Sequence, residues 1–389
     1  MRTITIFPRR AIAVVGLVFS GFLVLSAAAQ GSPQAVKPGG NTDLIVLGQS
    51  APLDDPGDDQ GRDFKLGAEA YFDAINQSGG VNGRKIKLVS IDDGGAIDRA
   101  KANTQKLIGE ENVLALFGYV GVPTVNAILP IVEKQKVPLI GAASGDQALR
   151  DPGSRYVFNI RASYNDEANR MITQLANSGV NKIALFYQND AYGRAGLAAV
   201  DRAMRERKLG IVIFGSVDRN STKVGSAAQT IAKSGAQAVI IAASATTSAA
   251  FIKEMKKLGA PVRFCTLSSV GSRSLATLLG DEGRGVEITQ VVPFPFSGND
   301  PLLREYLGRI GGQGKAGFSS LEGYIAAKVF TEALKKAGKA PSRESLIDAL
   351  DKLGSFDLGG YRMTYNTDNH AGSSMVDSTV ISSGGSFKQ

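Results

Sequence analysis

The sequence predicts an α/β protein built from two Rossmann-like lobes. Short runs rich in β-branched and aromatic residues alternate with amphipathic helical segments from residue 43 onward. This alternation stops and starts again after the segment YVFNIRAS, residues 156–163. The chain of 389 residues is also longer than one hydrophobic core usually supports. Two successive βαβα series indicate two mostly parallel sheets, each covered by helices on both faces.

The first 29 residues have the order of a secretory signal peptide. A basic start, MRTITIFPRR, precedes the apolar run AIAVVGLVFSGFLVL and the small-residue segment SAAAQ. The alternative is a membrane anchor, but the run is short for the roughly twenty residues of a spanning helix. A lipid anchor would need a cysteine near the cut, and the sequence has none there. We expect cleavage after Ala29, a flexible lead-in over residues 30–42 and a soluble periplasmic product.

The first series of elements runs from residue 43 to the segment VPLIGAAS. Its predicted strands are LIVLGQS, KIKLVSID, VLALFGY and VPLIGAAS, and its predicted helices are GRDFKLGAEAYFDAINQ, AIDRAKANTQKLIGE and TVNAILPIVEKQ. Five apolar residues of the first helix lie at helical spacing: Phe64, Ala68, Tyr71, Phe72 and Ile75. We expect this stripe to pack on a sheet as core.

The second series follows YVFNIRAS. It reads EANRMITQLANSG, KIALFYQ, the AYGRAG turn with its helix, IVIFGSV, KVGSAAQTIAKSG, AQAVIIAAS, TSAAFIKEMKKLG and VRFCTLSS. After VEITQVVPFPF come three helical stretches, PLLREYLGRIG, FSSLEGYIAAKVFTEALKKAG and SRESLIDALDKLG. The segments YRMTYN and MVDSTVISS are strand-like and predict a closing hairpin.

Composition argues against several classes of chemistry. Cys265 is the only cysteine, so no intrachain disulfide can form. His370 is the only histidine, so a Ser/His/Asp or Cys/His catalytic site would have to use that residue. A zinc site would lack most of its usual Cys and His ligands. The formal charge of +8, less the three arginines of the signal peptide, leaves +5 spread along the chain rather than in a basic patch. We expect no enzyme activity, no cofactor and no nucleic-acid partner.

Two acidic segments have a plain structural interpretation. Asp92 and Asp93 end a strand, and neighbouring side chains on a strand point to opposite faces, so the two carboxylates do not converge as a general acid and base or a magnesium site. They indicate a strand-end turn with a helix cap at Asp98. The run DDPGDD, residues 54–59, lacks the ligand spacing of a calcium loop and predicts a mobile loop at a cleft edge.

Five segments together resemble the branched-chain amino acid binding protein family, the periplasmic substrate-binding components of ABC importers. They are GQSAPL, GAEAYFDAINQSGGVNGRKIKLVSIDD, FGYVGVPT, VPLIGAAS and FYQNDAYGRAG, and the resemblance covers residues 43–389. It implies the type I periplasmic binding fold, with ligand held between the lobes and three chain crossings near Ala162, Val292 and Phe356. The implied lobes are residues 43–161 with 293–355, and residues 162–292 with 356–389.

The resemblance also implies ligand-binding residues on the first lobe. The matching positions are Ser50, Tyr119 to Val122 including Gly121, Thr124, Ala143, Ser144 and Gly145. Each turn follows a strand and precedes or caps a helix, so free backbone N–H groups and hydroxyls suit a carboxylate there. We expect the hydroxyls of Thr124 and Ser144 to contact the ligand. The alternative is that both are ordinary helix caps.

On the second lobe, the resemblance places Tyr192 on the ligand. The GxxG of Gly193 and Gly196 is neither a dinucleotide fingerprint nor a P-loop, so AYGRAG is not a phosphate loop. A tyrosine ring can cover apolar surface while its hydroxyl makes a hydrogen bond, and Gly193 permits a tight turn beside it. The alternative is a packed surface tyrosine. Further second-lobe candidates are Ser244, Thr246 and Ser268.

The sequence departs from the family at three places. The positions that match the family's disulfide are Gly95 and Gly121. The acid that meets a ligand ammonium is replaced by Ser268 or Ser269, which speaks against an α-amino acid ligand. A cleft aromatic of the family falls near Glu322, so Glu322 is either a replacement negative charge or a solvated surface residue.

The resemblance implies a periplasmic solute-binding protein that holds a small polar ligand, such as an amino acid, amide or small carboxylate. Its partner is a membrane ABC permease, and we expect a monomer that works by hinge closure. The alternative is a sensory module that signals to a membrane receptor kinase, because one fold serves both roles.

Overall fold

The computed structural model describes residues 43–55, 57–150, 154–312 and 314–389. The predicted signal peptide and lead-in lie outside these described residues. No helix within the described ranges is long and apolar enough to cross a membrane.

The first lobe is built on a five-stranded parallel sheet with the order β2-β1-β3-β4-β5. Its strands are β1 (Leu44–Ala51), β2 (Lys85–Asp92), β3 (Ala115–Phe117), β4 (Leu139–Ile140) and β5 (Val157–Phe158). The connecting helices are α1 (Gln60–Gln77), α2 (Ile97–Gly109) and α3 (Val122–Gln135). Separate apolar clusters lie on the two faces of this sheet, so the central strand β3 is buried throughout.

The second lobe contains a seven-stranded sheet with the order β15-β14-β10-β9-β8-β6-β7. Five of its strands are parallel: β6 (Ile183–Gln188), β7 (Phe214–Val217), β8 (Ala238–Ala242), β9 (Arg263–Thr266) and β10 (Glu287–Gln290). The last two, β14 (Asp377–Ile381) and β15 (Phe387–Lys388), are antiparallel. Its helices are α4 (Tyr164–Asn177), α5 (Ala191–Glu206), α6 (Gly225–Ala232), α7 (Ala245–Lys257) and α8 (Ser272–Leu279).

Between β10 and β14 the chain returns to the first lobe. It adds helices α9 (Pro301–Arg309), α10 (Phe318–Ala337) and α11 (Arg343–Asp351), then a three-stranded antiparallel sheet of β11 (Gly354–Asp357), β12 (Arg362–Asn366) and β13 (Asn369–Gly372). The two sheets with mostly parallel strands and helical layers confirm the predicted fold class.

The third crossing lies further along the chain than predicted. Residues after Phe356 remain on the first lobe, because alternate residues of β12, Met363 and Tyr365, are fully buried in its core. The Tyr365 hydroxyl donates to the carbonyl of Asn159 at 2.5 Å, and the His370 ring stacks on Phe158 at 4.0 Å. The chain therefore crosses between Gly372 and β14.

The predicted closing hairpin is wrong for the same reason. YRMTYN forms β12, which pairs with β11 and β13, whereas MVDSTVISS contains β14, which pairs with β10 of the other lobe. Both segments have the alternation of a strand, but each completes a different sheet.

Helices α1 and α10 pack closely because glycines face the partner backbone. A Cβ atom at Gly67 would lie 1.7 Å from the carbonyl oxygen of Ser320, and one at Gly323 would lie 2.0 Å from that of Phe64. A side chain at either position would force the helices apart. The apolar stripe predicted for α1, which includes Phe64, therefore packs against α10 as well as against the sheet.

We predict that Gly67→Ala destabilises the protein by about 1–3 kcal/mol, the cost of overpacking a filled interface. Gly308→Ala is the matched control, because Gly308 is an exposed residue of α9 with open space around its Cβ position. There the same change should stabilise the helix by about 0.5–1 kcal/mol. Urea unfolding of both variants measures the difference. Equal effects of the two substitutions would contradict this packing account.

Candidate functional site

A closed cleft lies between the two lobes, where three helices begin. Helix α3 follows β3 of the first lobe, and helices α5 and α7 follow β6 and β8 of the second. Their first residues border a cavity of about 290 Å³. The carboxyl ends of parallel strands are where open α/β sheets hold ligands, so the topology itself makes this cleft the candidate binding site.

The first-lobe wall of the cleft is the start of α3. Gly121 precedes the helix with a φ of +91°, a conformation that favours glycine. The first turn leaves backbone N–H groups, among them those of Val122 and Thr124, without acceptors inside the helix. The Thr124 hydroxyl donates to the Val120 carbonyl at 2.5 Å, so its proton is used within the turn.

Tyr192 lies on the second-lobe wall and is only 8% exposed. Its ring centroid lies 5.7 Å from that of Tyr164, another cleft residue. The Tyr192 hydroxyl is buried and has no hydrogen-bond partner among the residues that the structure describes. Burial raises the pKa of this phenol, so the hydroxyl stays protonated and can donate a hydrogen bond.

The helix starts on the second lobe are capped by their own side chains. Asp190 accepts the backbone N–H of Gly193 at 3.0 Å, and Ser244 accepts that of Thr247 at 3.4 Å. Both residues line the cleft while they stabilise α5 and α7.

Arg219 closes the mouth of the cleft, and sequence reasoning missed it. It lies in the loop after β7 and donates to the backbone carbonyl of Gly95 on the first lobe at 2.6 Å. Its guanidinium also lies 3.6 Å from Asp190. Tyr164, Gln188 and Asn220 were missed too, since a loop residue or a helix-start tyrosine has no pattern that marks it. Ser269, one of the two serines matched to the family's acid, also lines the cleft.

Two further contacts join the lobes beside the cleft. The backbone N–H of Ser274 in α8 donates to Asp59 at 2.9 Å, and Arg273 lies 3.5 Å from Asp63 of α1. With the Arg219 contact, they connect the two lobes on the cleft side.

Eight of the fourteen residues predicted for ligand binding line the cleft. These are Val120, Gly121, Val122, Thr124, Ala143, Tyr192, Ser244 and Thr246. The remaining six lie away from its lining: Ser50, Tyr119, Ser144, Gly145, Ser268 and Glu322.

The buried strand ends explain most of these differences. The Ser50 hydroxyl donates to Asp93 at 2.8 Å, and the Tyr119 hydroxyl bonds Thr104 at 2.9 Å, so both side chains point into the lobe. Ser144 accepts the backbone N–H of Asp146 at 3.3 Å within a turn, whereas the cap of the short helix that follows is Asp146. Gly145 packs on the ring of Tyr164, which would lie 2.4 Å from an added Cβ atom.

The two acidic segments form a strand-end turn and part of the cleft mouth. Asp93 accepts from Ser50 and from the backbone N–H of Gly95, as a strand-end turn does. Asp55 and Asp58 of the loop at 54–59 line the mouth of the cleft. Within the described ranges, no group of three His, Cys, Asp or Glu side chains could hold a metal ion.

A buried ion cluster lies where the chain first crosses between the lobes. We call it the hinge cluster: Arg161, Glu167, Ser268, Thr289 and Glu322. The Arg161 guanidinium lies 3.7 Å from Glu167 on the second lobe and 3.7 Å from Glu322 on the first, and it donates to the Ser268 hydroxyl. Both predictions for Glu322 are therefore wrong, because its carboxylate faces neither the cleft nor solvent.

The two carboxylates of the hinge cluster have different surroundings. Glu167 accepts from the Ser268 N–H at 2.8 Å, the Ser268 hydroxyl at 2.9 Å and the Thr289 hydroxyl at 2.5 Å. One oxygen of Glu322 is buried without a partner in the described chain. Burial therefore raises the pKa of Glu322, although Arg161 opposes the shift.

A model of the family described as periplasmic binding protein matches residues 45–385. The chain belongs to this family. A curated relative, Leu/Ile/Val-binding protein homolog 7 of Brucella abortus, is 26% identical over 355 residues, or 85% of this chain and 88% of that protein. A possible leucine/isoleucine/valine-binding protein from Rhodopirellula baltica has a TM-score of 0.84 at 30% identity, covering 89% and 96% of the two chains. A substrate-binding periplasmic protein from Ralstonia solanacearum has a TM-score of 0.80 at 32% identity, covering 87% and 97%.

These matches confirm the resemblance to the branched-chain amino acid type of periplasmic binding protein. Gly95 and Gly121, which replace the family's disulfide, take other roles in this member. Gly95 offers its carbonyl to Arg219 across the mouth, and Gly121 opens the turn into α3.

We predict that Arg161→Met destabilises this periplasmic binding protein by about 3–5 kcal/mol, since it leaves two carboxylates buried without their cation. The control is Arg155→Met, because Arg155 is half-exposed and its ion pairs lie on the surface. That change should cost far less, because exposed ion pairs contribute little to stability. Denaturant unfolding compares the two variants. Similar small losses would show that the hinge cluster does not hold the lobes together.

We also predict that Glu322→Gln changes the pH dependence of stability. The folded protein keeps the Glu322 proton to a higher pH than the unfolded chain, whose carboxyl titrates near 4.5. Because the folded state binds more protons in that window, stability falls as pH rises from about 4.5 through the raised pKa.

Glutamine cannot titrate, so Glu322→Gln should show a shallower fall in stability with pH. Glu344→Gln, on an exposed residue of α11, should keep the wild-type slope. Thermal unfolding between pH 4 and pH 8 measures both. An unchanged slope in Glu322→Gln would exclude Glu322 as the proton carrier.

Proposed function

We propose that the protein binds a small solute carrying a carboxylate or amide in its cleft and delivers it to a membrane ABC permease. The observation that carries this proposal is the closed cavity on which three helix starts converge. Each helix start has a partial positive charge and free N–H groups, which together favour negative or carbonyl oxygens. Arg219 adds a full positive charge at the mouth.

The mechanism is closure of the two lobes around the solute. The solute first contacts the α3 turn of one lobe, and Tyr192 and Arg219 of the other lobe reach it only after closure. Contacts made in one state alone shift the population toward that state. Three interlobe contacts, Arg219 with Gly95, Ser274 with Asp59 and Arg273 with Asp63, then stabilise the closed form.

The closed form presents both lobes as one surface, which a permease can distinguish from the open form. Secretion through the predicted signal peptide would place the protein where it meets both solute and permease. Family membership supports this location and this partner.

The test is a thermal-shift screen of amino acids, amides, urea and aromatic and aliphatic acids, followed by calorimetry of each hit. Deletion of the gene should then abolish uptake of the labelled hit by intact cells, and the wild-type gene should restore it. A protein that binds no member of the screen, or a deletion strain with normal uptake, would contradict the proposal.

We predict that Arg219→Gln weakens solute binding about tenfold, mainly through faster dissociation, because the variant loses a charge-assisted hydrogen bond made only in the closed form. Arg194→Gln is the control, since Arg194 is exposed on α5 and bonds Asn189 of its own lobe. Stopped-flow binding with a hit from the screen measures the rates. Equal dissociation rates in the two variants would show that the mouth contact does not stabilise closure.

A further inference from the structure

We infer that the cleft selects carboxylic acids with an apolar body and no protonated α-amine. This inference rests on the proposed function and narrows the solute class for the same cleft. Three features carry it: apolar walls, a pair of donor sites on opposite lobes, and an Asp190 carboxylate whose two oxygens are already engaged.

The walls suit an aromatic or branched aliphatic body. The rings of Tyr164 and Tyr192 stand at 51° to each other on one side, and Val120, Val122 and Val270 contribute apolar surface. A cavity of about 290 Å³ is at the small end of ligand sites, so it holds a compact molecule. Burial of such a body gains free energy in proportion to its apolar area.

Donors on the two lobes suit a carboxylate. The α3 start offers N–H groups on the first lobe, and the Tyr192 hydroxyl offers an O–H on the second. That hydroxyl is buried and lacks a partner in the described part of the chain. A buried hydroxyl without a hydrogen bond is costly, so a ligand oxygen at this point satisfies a group that the protein leaves open.

Away from the mouth loop, an ammonium finds no such complement. Each oxygen of Asp190 is engaged, one with the N–H of Gly193 and the other with the Gln188 amide at 2.6 Å and with Arg219. Asp55 and Asp58 lie in the mouth loop, where one oxygen of each accepts a backbone N–H, from Gly57 at 2.8 Å and from Gln60 at 3.0 Å.

The next acids lie behind the cleft. Glu167 and Glu322 belong to the hinge cluster, where they face Arg161, and neither lines the cleft. An ammonium group that moves from water into this site loses its hydration, and no paired carboxylate compensates for that loss. The amine of an amino acid therefore weakens binding relative to the same skeleton without it.

Matched pairs of ligands test this inference directly. Calorimetry compares leucine with 4-methylpentanoate and phenylalanine with 3-phenylpropanoate, so each pair differs only in the α-amine. We expect the acid of at least one pair to bind, and to bind at least tenfold more tightly than its amino acid. Equal or tighter binding of the amino acids, or binding of amides alone, overturns the inference but leaves solute binding intact. Failure of every compound in the wider screen would overturn the proposed function as well.

Tyr192→Phe tests the second-lobe donor. We expect about tenfold weaker binding of the preferred acid, since the hydroxyl is its hydrogen-bond donor. Stability without ligand should not fall, because removing an unpartnered buried hydroxyl leaves no other group unsatisfied. Tyr187→Phe is the control, as Tyr187 is a half-buried residue of β6 outside the cleft lining. Unchanged affinity in Tyr192→Phe, or an equal loss in Tyr187→Phe, would overturn the assignment.

Discussion

Arg161 lies at the first crossing between the lobes, and its buried guanidinium faces carboxylates from both of them. Such a charge is tolerated away from water only when it is paired, so the first lobe must present Glu322 and the second Glu167 at this one place. Because α10 carries Glu322 and α4 carries Glu167, the cluster fixes the helices that flank the hinge. The cleft in front of it, with Tyr164 beside the crossing, takes its position from this constraint.

The cleft depends on backbone as much as on side chains. Helices α3, α5 and α7 all begin at its edge because parallel strands end there, and this topology supplies N–H groups whatever the side chains are. The side chains at the cleft come from both lobes. The turn at Gly121 belongs to the first lobe, while Tyr192 and Arg219 line the cleft from the second.

The sequence predicted the two sheets and part of the cleft, and the limits of that prediction have physical causes. Periodicity identified both series of strands and helices, and the strand-to-helix turn at Tyr192 marked a cleft residue. The sequence pattern could not show that the Ser50 and Tyr119 side chains point into the lobe, since that depends on partners distant in the sequence. Nor could it find Arg219, whose role arises from a carbonyl in the other lobe. Glu322 was misread because its cation comes from a residue 161 positions earlier in the chain.

The central claim is that a solute closes the two lobes about the hinge cluster. Spin labels on Lys101→Cys of α2 and Gln229→Cys of α6 test it most directly, since both positions are exposed and lie on opposite lobes, while the native Cys265 is buried. Pulsed electron–electron double resonance should give a broad distribution of distances without ligand. A saturating ligand should shift it to one shorter, narrower distance. The same distribution with and without ligand would contradict the claim.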